Sequence, residues 1–277
     1  MKKIPFFKMN GSGNDFIIIN NQENVVENLI DIPIREFVKK VCTRGMSVGA
    51  DGLILIEKDD EADFRWRFYN NDGGEVEMCG NGSRCAARFA YLNKLAPLEM
   101  SFLTLAGTIK AQITGLNSVK VQLTQPKDYR ENIELDGIEL KASFINTGVP
   151  HIVYFVDSVE GIDLRNIGAK TRYHKEFEPE GTNVNFAEII DESNIQLRTY
   201  ERGVEDETLA CGTGATASAL VAILQNRAKS PVKVHTKSKK ILTIYADVEN
   251  GAIGNVFLEG DAMLTYIGTM IEEAYNY

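Results

Sequence analysis

The chain has 277 residues, of which 44% are hydrophobic and 25% are charged, a composition typical of a globular protein with one large domain or two ordinary ones. Its net charge of −9, without any block of Lys and Arg, argues against a nucleic-acid-binding surface. The first apolar stretch is too short for a signal peptide, and no run approaches the ~20 apolar residues that span a bilayer, so we expect a cytoplasmic protein that binds no membrane.

In chain order, the first half predicts an α+β arrangement. Alternating apolar residues indicate strands, and apolar residues at helical spacing indicate helices. The predicted elements are a strand, glycine turn and strand over 6–19, a peripheral helix at 34–41, strands at 53–56 and 64–70, a helix after Cys79, and strands at 100–103, 108–113 and 119–123.

The second half predicts the same order of elements. These are a strand, glycine turn and strand over 144–155, a helix at 167–173, strands at 184–189 and 195–202, a helix after Cys211, and strands at 232–236, 241–246 and 256–258. The halves therefore predict an α+β fold made by duplication, with two pseudo-symmetric domains that each curl a mostly antiparallel sheet around a central helix. In this alignment Asn14 matches His151, and Asn70 matches Glu201.

The domain boundaries follow from the same pattern. Residues 125–128, which include a proline, are the expected first crossing between the halves, and the last strand, at 263–268, is expected to return to the first domain. We therefore predict an N-terminal domain of 1–126 with 264–277 and a C-terminal domain of 127–263.

The two central helices begin with a repeated motif. Residues 78–90 and 210–222 both contain Cys-Gly-x-Gly followed by small residues, which places Cys79 and Cys211 at helix N-termini. Free N–H groups and the helix dipole favour anions there, and such surroundings can lower a thiol pKa from ~8.5 to roughly 3.5–7.5. A single Cys-Gly is more often a buried structural cysteine, but the duplication favours a paired site in a cleft, with one thiol on each side of a small anionic substrate.

The spacing of the cysteines and histidines predicts neither a disulfide nor a metal site. The cysteines lack C-x-x-C spacing, so we expect thiols rather than disulfides in a reducing compartment. The histidines are not spaced as a ligand set, and we expect no metal. The residues concerned are Cys42, Cys79, Cys85 and Cys211, and His151, His174 and His235.

Two thiols on opposite faces of one carbon suit a racemase or epimerase that needs no cofactor. One group removes the Cα proton while the other delivers a proton to the opposite face. The backbone N–H groups of Gly80 and Asn81, and of Gly212 and Thr213, could bind the substrate α-carboxylate and stabilise the charge that develops there.

Several motifs together resemble the diaminopimelate epimerase family, in the right order over nearly the whole chain. They are Asn-Gly-Ser-Gly-Asn-Asp-Phe at 10–16, the stretch 70–82 that contains the first Cys-Gly-Asn-Gly, Pro150-His151, Gly-Thr-Asn-Val-Asn-Phe at 181–186, Glu201-Arg202-Gly203, and Ala-Cys-Gly-Thr-Gly at 210–214. The resemblance implies two pseudo-symmetric halves with the active site in the cleft between them. It also implies epimerisation of L,L-diaminopimelate to meso-diaminopimelate, for lysine and peptidoglycan precursors, without a cofactor, and it suggests a homodimer.

The resemblance also implies roles for individual residues. Cys79 and Cys211 would be the acid/base pair, and His151 and Glu201 would poise a thiol. The distal amino and carboxyl groups of the substrate would be held by Asn14, Asn70, Asn183 and Arg202. Taken singly, the asparagines could be turn residues, Glu201 and Arg202 a solvated pair, and His151 a core histidine.

Two departures from the family pattern leave the substrate open. Many members carry Gln where Gly52 stands and Asn where Val149 stands, and both positions contact substrate there. One alternative is a two-cysteine racemase for histidine or proline derivatives, although proline-type enzymes generally have Cys-Gly-His-Gly where this chain has Asn81. The other alternative is a non-catalytic relative of the same scaffold, against which the presence of both cysteines argues.

Overall fold

A computed structural model describes residues 2–277 of the chain. Its first elements are β1 (Lys3–Gly11), β2 (Asn14–Asn20), α1 (Val25–Leu29), α2 (Ile34–Cys42), β3 (Gly52–Glu57), β4 (Phe64–Asn70), α3 (Gly80–Leu92), β5 (Glu99–Thr104), β6 (Gly107–Ile113) and β7 (Ser118–Gln122). They are followed by β8 (Lys127–Leu135), β9 (Ile138–Asn146), β10 (Pro150–Phe155), α4 (Leu164–Arg172), β11 (Asn183–Asp191), β12 (Asn194–Glu201), β13 (Asp206–Glu207), α5 (Gly212–Leu224), β14 (Val232–His235), β15 (Ile241–Glu249), β16 (Ala252–Asp261) and β17 (Met263–Ile271).

The chain divides into two compact units. The first contains the residues up to Val121 together with Gly260–Tyr277, and the second is Gln122–Glu259. The domain limits expected from the sequence, at 126/127 and 263/264, lie a few residues further along the chain and stay a prediction. Among residues 2–277, no helix has the length and apolar character needed to cross a membrane.

The first unit is a sheet around α3. Strand β1 pairs antiparallel with both β17 and β2, and the order then continues β3, β4, β5, β6, β7. Only the β2–β3 and β4–β5 pairs are parallel. Helix α3 packs on β1, β2, β3 and β6 and is almost fully buried, which its run of small residues permits. The predicted central helix is therefore confirmed.

The second unit repeats this plan. Strand β9 pairs antiparallel with β8 and β10, β10 pairs parallel with β11, and β11 pairs antiparallel with β12. Beyond β12 the order is β14, β15, β16, with β12–β14 parallel. Helix α5 packs on β9, β10, β11, β12, β14 and β15. Both parallel pairs recur at the same places as in the first unit, which confirms the duplicated α+β fold.

A peripheral helix packs against the sheet of each unit. In the first unit, α2 buries Phe37, Val38 and Val41 in a cluster with Leu53 and Leu55 of β3. In the second unit, α4 buries Leu164 beside Phe186 of β11. Each peripheral helix thus forms an apolar cluster with the strands that it covers.

Gly52, one of the two departures from the family pattern, has no room for a side chain. It begins β3 and lies opposite Asn70 of β4. A Cβ added there would lie 2.6 Å from Cε2 of Phe68 and 2.6 Å from the Tyr69 carbonyl oxygen. Because that carbonyl belongs to the neighbouring strand, it cannot move aside without disturbing the pairing. The Phe68 ring therefore takes part of the space that a larger residue at 52 would need.

We predict that Gly52→Gln destabilises the protein by about 1–3 kcal/mol, because overpacking forces strands β3 and β4 apart. Urea unfolding followed by circular dichroism measures the loss. Gly161→Ala is the matched control, since a Cβ at Gly161 meets no atom within 4 Å. Equal unfolding midpoints for wild type and Gly52→Gln would contradict the steric account.

Candidate active site

Cys79 caps the N-terminus of α3. Its backbone is extended (φ −148°, ψ 116°), and its Sγ accepts a hydrogen bond from the Gly82 N–H at 3.4 Å. Gly82 packs on the sheet, since a Cβ added there would be in ordinary contact with Ile54 Cδ1 and Trp66 Cζ3, at 3.4 Å from each. Its N–H faces the sulfur.

Cys211 occupies the same position in the second unit. It caps α5 with extended backbone (φ −122°, ψ 112°), and its Sγ accepts from the Gly214 N–H at 3.3 Å. The Thr213 hydroxyl lies 3.4 Å from the same sulfur. A Cβ at Gly214 would lie 2.4 Å from Oδ1 of Asn185, so only glycine fits there. Both cysteines are thus at helix N-termini, as the motif predicted, and all four cysteines of the chain are free thiols.

The expected lowering of the thiol pKa is wrong for this structure. Burial raises the pKa of Cys79, and the N–H groups of Gly82 and Asn81 oppose that effect without overcoming it. Burial, together with the nearby Glu201 carboxylate, raises the pKa of Cys211 to about 12. The sequence argument counted the helix N-terminus but not the removal of water, which penalises the thiolate more strongly.

In the first unit, the structure brings two of the predicted binding residues together. Asn14, the first residue of β2, accepts a hydrogen bond at Oδ1 from Nδ2 of Asn81, at 2.6 Å. Nδ2 of Asn14 in turn donates to Oδ2 of Asp51, at 3.2 Å. Asn81 follows directly on Gly80, whose backbone lies in the first turn of α3. These contacts place Asn14 beside the Cys79 turn.

Asn70 is the last residue of β4, and its side chain is exposed. Its backbone N–H donates to the Gly74 carbonyl at 2.9 Å, and its carbonyl accepts from the Gly73 N–H at 2.9 Å. The turn that follows β4 therefore fixes the backbone of Asn70 and leaves its carboxamide in solvent.

In the second unit, His151 lies in β10 with its side chain fully buried. Its Nδ1 is 3.1 Å from Nδ2 of Asn185, which also donates to the Ile152 carbonyl at 2.9 Å. Because an amide nitrogen only donates, Nδ1 is the acceptor and the proton of the neutral ring is on Nε2. Nε2 is buried without a hydrogen-bond partner among residues 2–277. Burial, with the nearby Arg202 charge, lowers the pKa of His151 to about 3.

Glu201, Asn183 and Arg202 lie at one end of β11 and β12. Burial raises the pKa of Glu201, the last residue of β12. Oδ1 of Asn183 accepts from the Arg202 backbone N–H at 2.9 Å, and its Nδ2 donates to the Pro150 carbonyl at 3.1 Å. The Arg202 guanidinium donates to the Glu180 carbonyl at 3.3 Å and forms no salt bridge within residues 2–277.

Three further polar residues belong to these sites, and the sequence reasoning assigned them no role. Asn185 fixes the tautomer of His151, Asp51 holds Asn14, and Arg84 donates to Oδ1 of Asn81 at 2.9 Å. Asn185 could have been found, because it follows Asn183 by two residues and so lies on the same face of β11. Nothing in the local pattern marks Arg84 or Asp51 as partners of the asparagines.

Each unit therefore offers the same chemistry at one helix end. A thiol accepts from a backbone N–H, and the first-turn residues, Gly80 and Asn81 or Gly212 and Thr213, supply the backbone of a helix N-terminus, where anions are favoured. No group of three or more His, Cys, Asp or Glu side chains in the described chain is arranged to hold a metal ion. The catalytic and binding roles of these residues stay predictions.

Comparison with known sequences agrees with this arrangement. A family model described as "Diaminopimelate epimerase" matches residues 6–128 and 143–264. A diaminopimelate epimerase of Aquifex aeolicus is 47% identical over 99% of this chain and 100% of its own length. That of Hydrogenobaculum sp. is also 47% identical, over 97% of this chain and 99% of its own length.

Solved structures with low sequence identity share the fold. A phenazine biosynthesis protein of the PhzF family from Bacillus anthracis has a TM-score of 0.71 at 15% identity, covering 98% of this chain and 100% of that one. A probable proline racemase from Agrobacterium radiobacter has a TM-score of 0.68 at 13% identity, covering 97% of this chain and 93% of that one. At these identities the likeness establishes the two-domain α+β fold and nothing further.

The low pKa of His151 predicts how stability depends on pH. Above pH about 6.5 the ring is neutral in both the folded and the unfolded chain. Below that pH the unfolded chain binds a proton that the folded protein does not take up until about pH 3. Stability should therefore fall as the pH drops from about 6.5 to 3, by on the order of 4 kcal/mol from this residue.

His151→Gln should make the protein less sensitive to pH in that window, because glutamine does not titrate. Urea midpoints measured at several pH values test this, with His174→Gln, which replaces a partly exposed histidine, as the control. If wild type and His151→Gln have parallel pH curves, His151 is not buried as a neutral ring.

Proposed function

Because the chain belongs to the diaminopimelate epimerase family, we propose that it interconverts L,L- and meso-diaminopimelate by moving a proton at Cα between two thiols. Family membership makes it an enzyme of the isomerase class. The reaction needs no cofactor in this proposal, and it would supply a precursor of lysine and peptidoglycan.

The observation that carries the proposal is the duplicated cysteine cap. An epimerase that inverts one carbon needs an acid/base group on each face, and its two groups exchange roles in the reverse direction. Cys79 and Cys211 cap equivalent helices of the two units with similar backbone and similar N–H···S contacts. We place the substrate in the cleft between the domains 1–126 with 264–277 and 127–263, with one thiol on each side.

The first turns of the two helices would bind the reacting end of the substrate. As the Cα proton leaves, negative charge spreads into the α-carboxylate, and N–H groups already oriented at Gly80, Asn81, Gly212 and Thr213 stabilise it without reorganisation. This stabilisation grows toward the transition state, so it lowers the barrier rather than only tightening binding.

The distal end of the substrate would be held by Asn14, Asn70, Asn183 and Arg202. The Arg202 fork can bind a carboxylate through two hydrogen bonds, and its charge has no partner carboxylate among residues 2–277. Asn14 and Asn183 already use polar atoms within the protein, which fixes the orientation of their carboxamides. A second carboxylate is what separates diaminopimelate from histidine or proline as a substrate.

Glu201 and His151 would control the proton on Cys211. Burial raises the pKa of both groups, and the Glu201 carboxylate contributes to the raised pKa of Cys211. In this proposal Glu201 accepts the proton of Cys211. His151, neutral with its proton on Nε2, would act as a hydrogen-bond donor at that end of the site.

The family resemblance further supports a cytoplasmic location and a homodimer, and we propose both for this chain. We also propose that the substrate is a small molecule, with neither nucleic acid nor membrane as a partner. Size-exclusion chromatography with light scattering measures the oligomeric state directly.

The central test is incubation with L,L-diaminopimelate in D₂O without added cofactor, followed by chiral chromatography and mass spectrometry. We expect early product to carry deuterium at the inverted carbon while recovered substrate stays largely protiated, because the donating thiol has already exchanged with solvent. Cys79→Ser and Cys211→Ser should each lower epimerisation by ~10²–10⁴-fold, since a serine hydroxyl is a far weaker acid and base. Cys42→Ala, which changes a core thiol, is the control.

Two results would overturn the two-base proposal. Early product that retains the original hydrogen would mean that a single base serves both faces. Near-normal epimerisation by either serine variant would leave the second cysteine without a chemical role. Turnover of histidine or proline, with none of diaminopimelate, would instead favour the other two-cysteine racemases.

Arg202→Leu should lower kcat/KM for diaminopimelate by on the order of 10²-fold or more, because the distal carboxylate loses its cation in a partly desolvated site. Arg165→Leu is the matched control, since its exposed guanidinium pairs with Asp206. Steady-state kinetics of both variants separate distal binding from a general charge effect, and unchanged kinetics for Arg202→Leu would refute the assignment.

A further inference from the structure

Arg84 is the largest side chain that the structure buries completely, and its guanidinium lies at the Cys79 turn. Nε donates to the Asp261 carbonyl at 3.1 Å, and Nη1 donates to the Gly80 carbonyl at 3.2 Å. Nη2 donates to Ser12 Oγ at 2.8 Å and to Asn81 Oδ1 at 2.9 Å. A buried guanidinium is costly, and these neutral oxygens accept four hydrogen bonds from its five N–H groups without neutralising its charge.

The contacts of Arg84 determine how two candidate binding residues are oriented. Because a guanidinium only donates, the Asn81 oxygen must face it, and the Asn81 nitrogen then donates to Asn14 Oδ1 at 2.6 Å. The Asn14 nitrogen donates in turn to Asp51, whose carboxylate only accepts. The amide chain therefore has one direction, and the Asn81 side chain is occupied within the protein, so that Asn81 faces a substrate with its backbone N–H.

Among residues 2–277, no arginine or lysine side chain donates a hydrogen bond to the Cys211 turn in this way. Arg84 is five residues after Cys79, and Thr216 is five residues after Cys211. Both side chains bond to the carbonyl that follows the cysteine, Thr216 Oγ1 to Gly212 at 2.9 Å and Arg84 Nη1 to Gly80 at 3.2 Å. They are structural equivalents that differ in charge, and the second unit has instead the Glu201 carboxylate beside its cysteine.

We propose that Arg84 is a positioning residue that makes the two cysteine turns inequivalent: it fixes the Asn81 carboxamide and the Gly80 carbonyl, and it gives the Cys79 turn a positive charge that the Cys211 turn lacks. This deepens the proposed function, on which its catalytic meaning rests. Cys79 is then the thiol that ionises more readily in the free protein, and Cys211, beside Glu201, is the one that keeps its proton.

The charged groups around each thiol support this order. Cys79 interacts with the Arg84 cation, which lowers its pKa, and with the Asp51 carboxylate, which raises it by a smaller amount. The Cys85 thiol on the same helix also faces Arg84 and Cys79. The Asp261 carboxylate also interacts with Arg84, and it accepts a hydrogen bond from Ser12 Oγ at 2.8 Å. At Cys211 the charged group that acts on the thiol is the Glu201 carboxylate, which raises its pKa.

The test is alkylation by iodoacetamide across a pH series, with each cysteine quantified by peptide mass spectrometry. The pH midpoint is the readout, because accessibility scales the rate equally at every pH whereas ionisation sets the midpoint. In the wild type, Cys79 should have a lower midpoint than Cys211. Arg84→Met should raise the Cys79 midpoint by about one pH unit or more, whereas Arg84→Lys, which keeps the charge, should change it little.

Arg88→Met is the matched control, because it removes a cation from the same helix that bonds to the Ala262 carbonyl and not to Asn81. It should leave the Cys79 midpoint in place. Arg84→Lys should raise KM for diaminopimelate more than it lowers kcat, since a lysine cannot hold Gly80, Asn81 and Ser12 together. A merely structural role would change neither the midpoint nor the balance of KM and kcat.

An equal or reversed order of the wild-type midpoints overturns the proposal even if the Arg84 variants do not fold. An unchanged midpoint in folded Arg84→Met overturns it as well. Alkylation requires no substrate, so a protein inactive on diaminopimelate would contradict the proposed function while leaving this measurement intact.

Discussion

The structure depends on the burial of two helix N-termini that are capped by sulfur. A buried N–H without a partner costs about 1–3 kcal/mol, so a helix enclosed by a sheet must cap its first turn from within. Cys79 and Cys211 do this with contacts of 3.4 and 3.3 Å. Serine, threonine, aspartate and asparagine are the ordinary caps, and cysteine is not among them. Capping alone therefore does not account for cysteine at both positions, whereas the proposed acid–base role would.

The same burial also makes both thiols harder to ionise. Enclosing each helix removes water from the sulfur, and this loss outweighs the backbone N–H groups that favour a thiolate. In a site with little water, a single nearby charge has a larger effect than it has at the surface. The cation of Arg84 and the carboxylate of Glu201 are therefore the groups able to distinguish two thiols whose backbone surroundings are nearly the same.

Most of the fold could be predicted from the sequence, because local residue patterns determine most of its strands and helices. The strand at Phe64–Asn70 and the two cysteine caps follow from alternation and from small residues after Cys-Gly, and the duplication made each half a check on the other. The polar network could not be predicted, because its partners are distant in sequence. Arg84 and the Asp261 carbonyl are 177 residues apart, and only the return of the chain to the first unit at the end of β16 brings them together.

The expected lowering of the thiol pKa was wrong for a related reason. The sequence shows that a cysteine begins a helix, but the water that remains around its sulfur depends on the whole sheet.

The two units have the same fold, but the proposed reaction requires their two thiols to differ. Epimerisation needs acid/base groups at mirror-related positions, yet one must hold a proton while the other does not. The duplicated backbone gives each unit one cysteine cap, and identical side chains around the two caps would leave both thiols in the same state. The divergence of Arg84 from Thr216 breaks that equality without disturbing the cap.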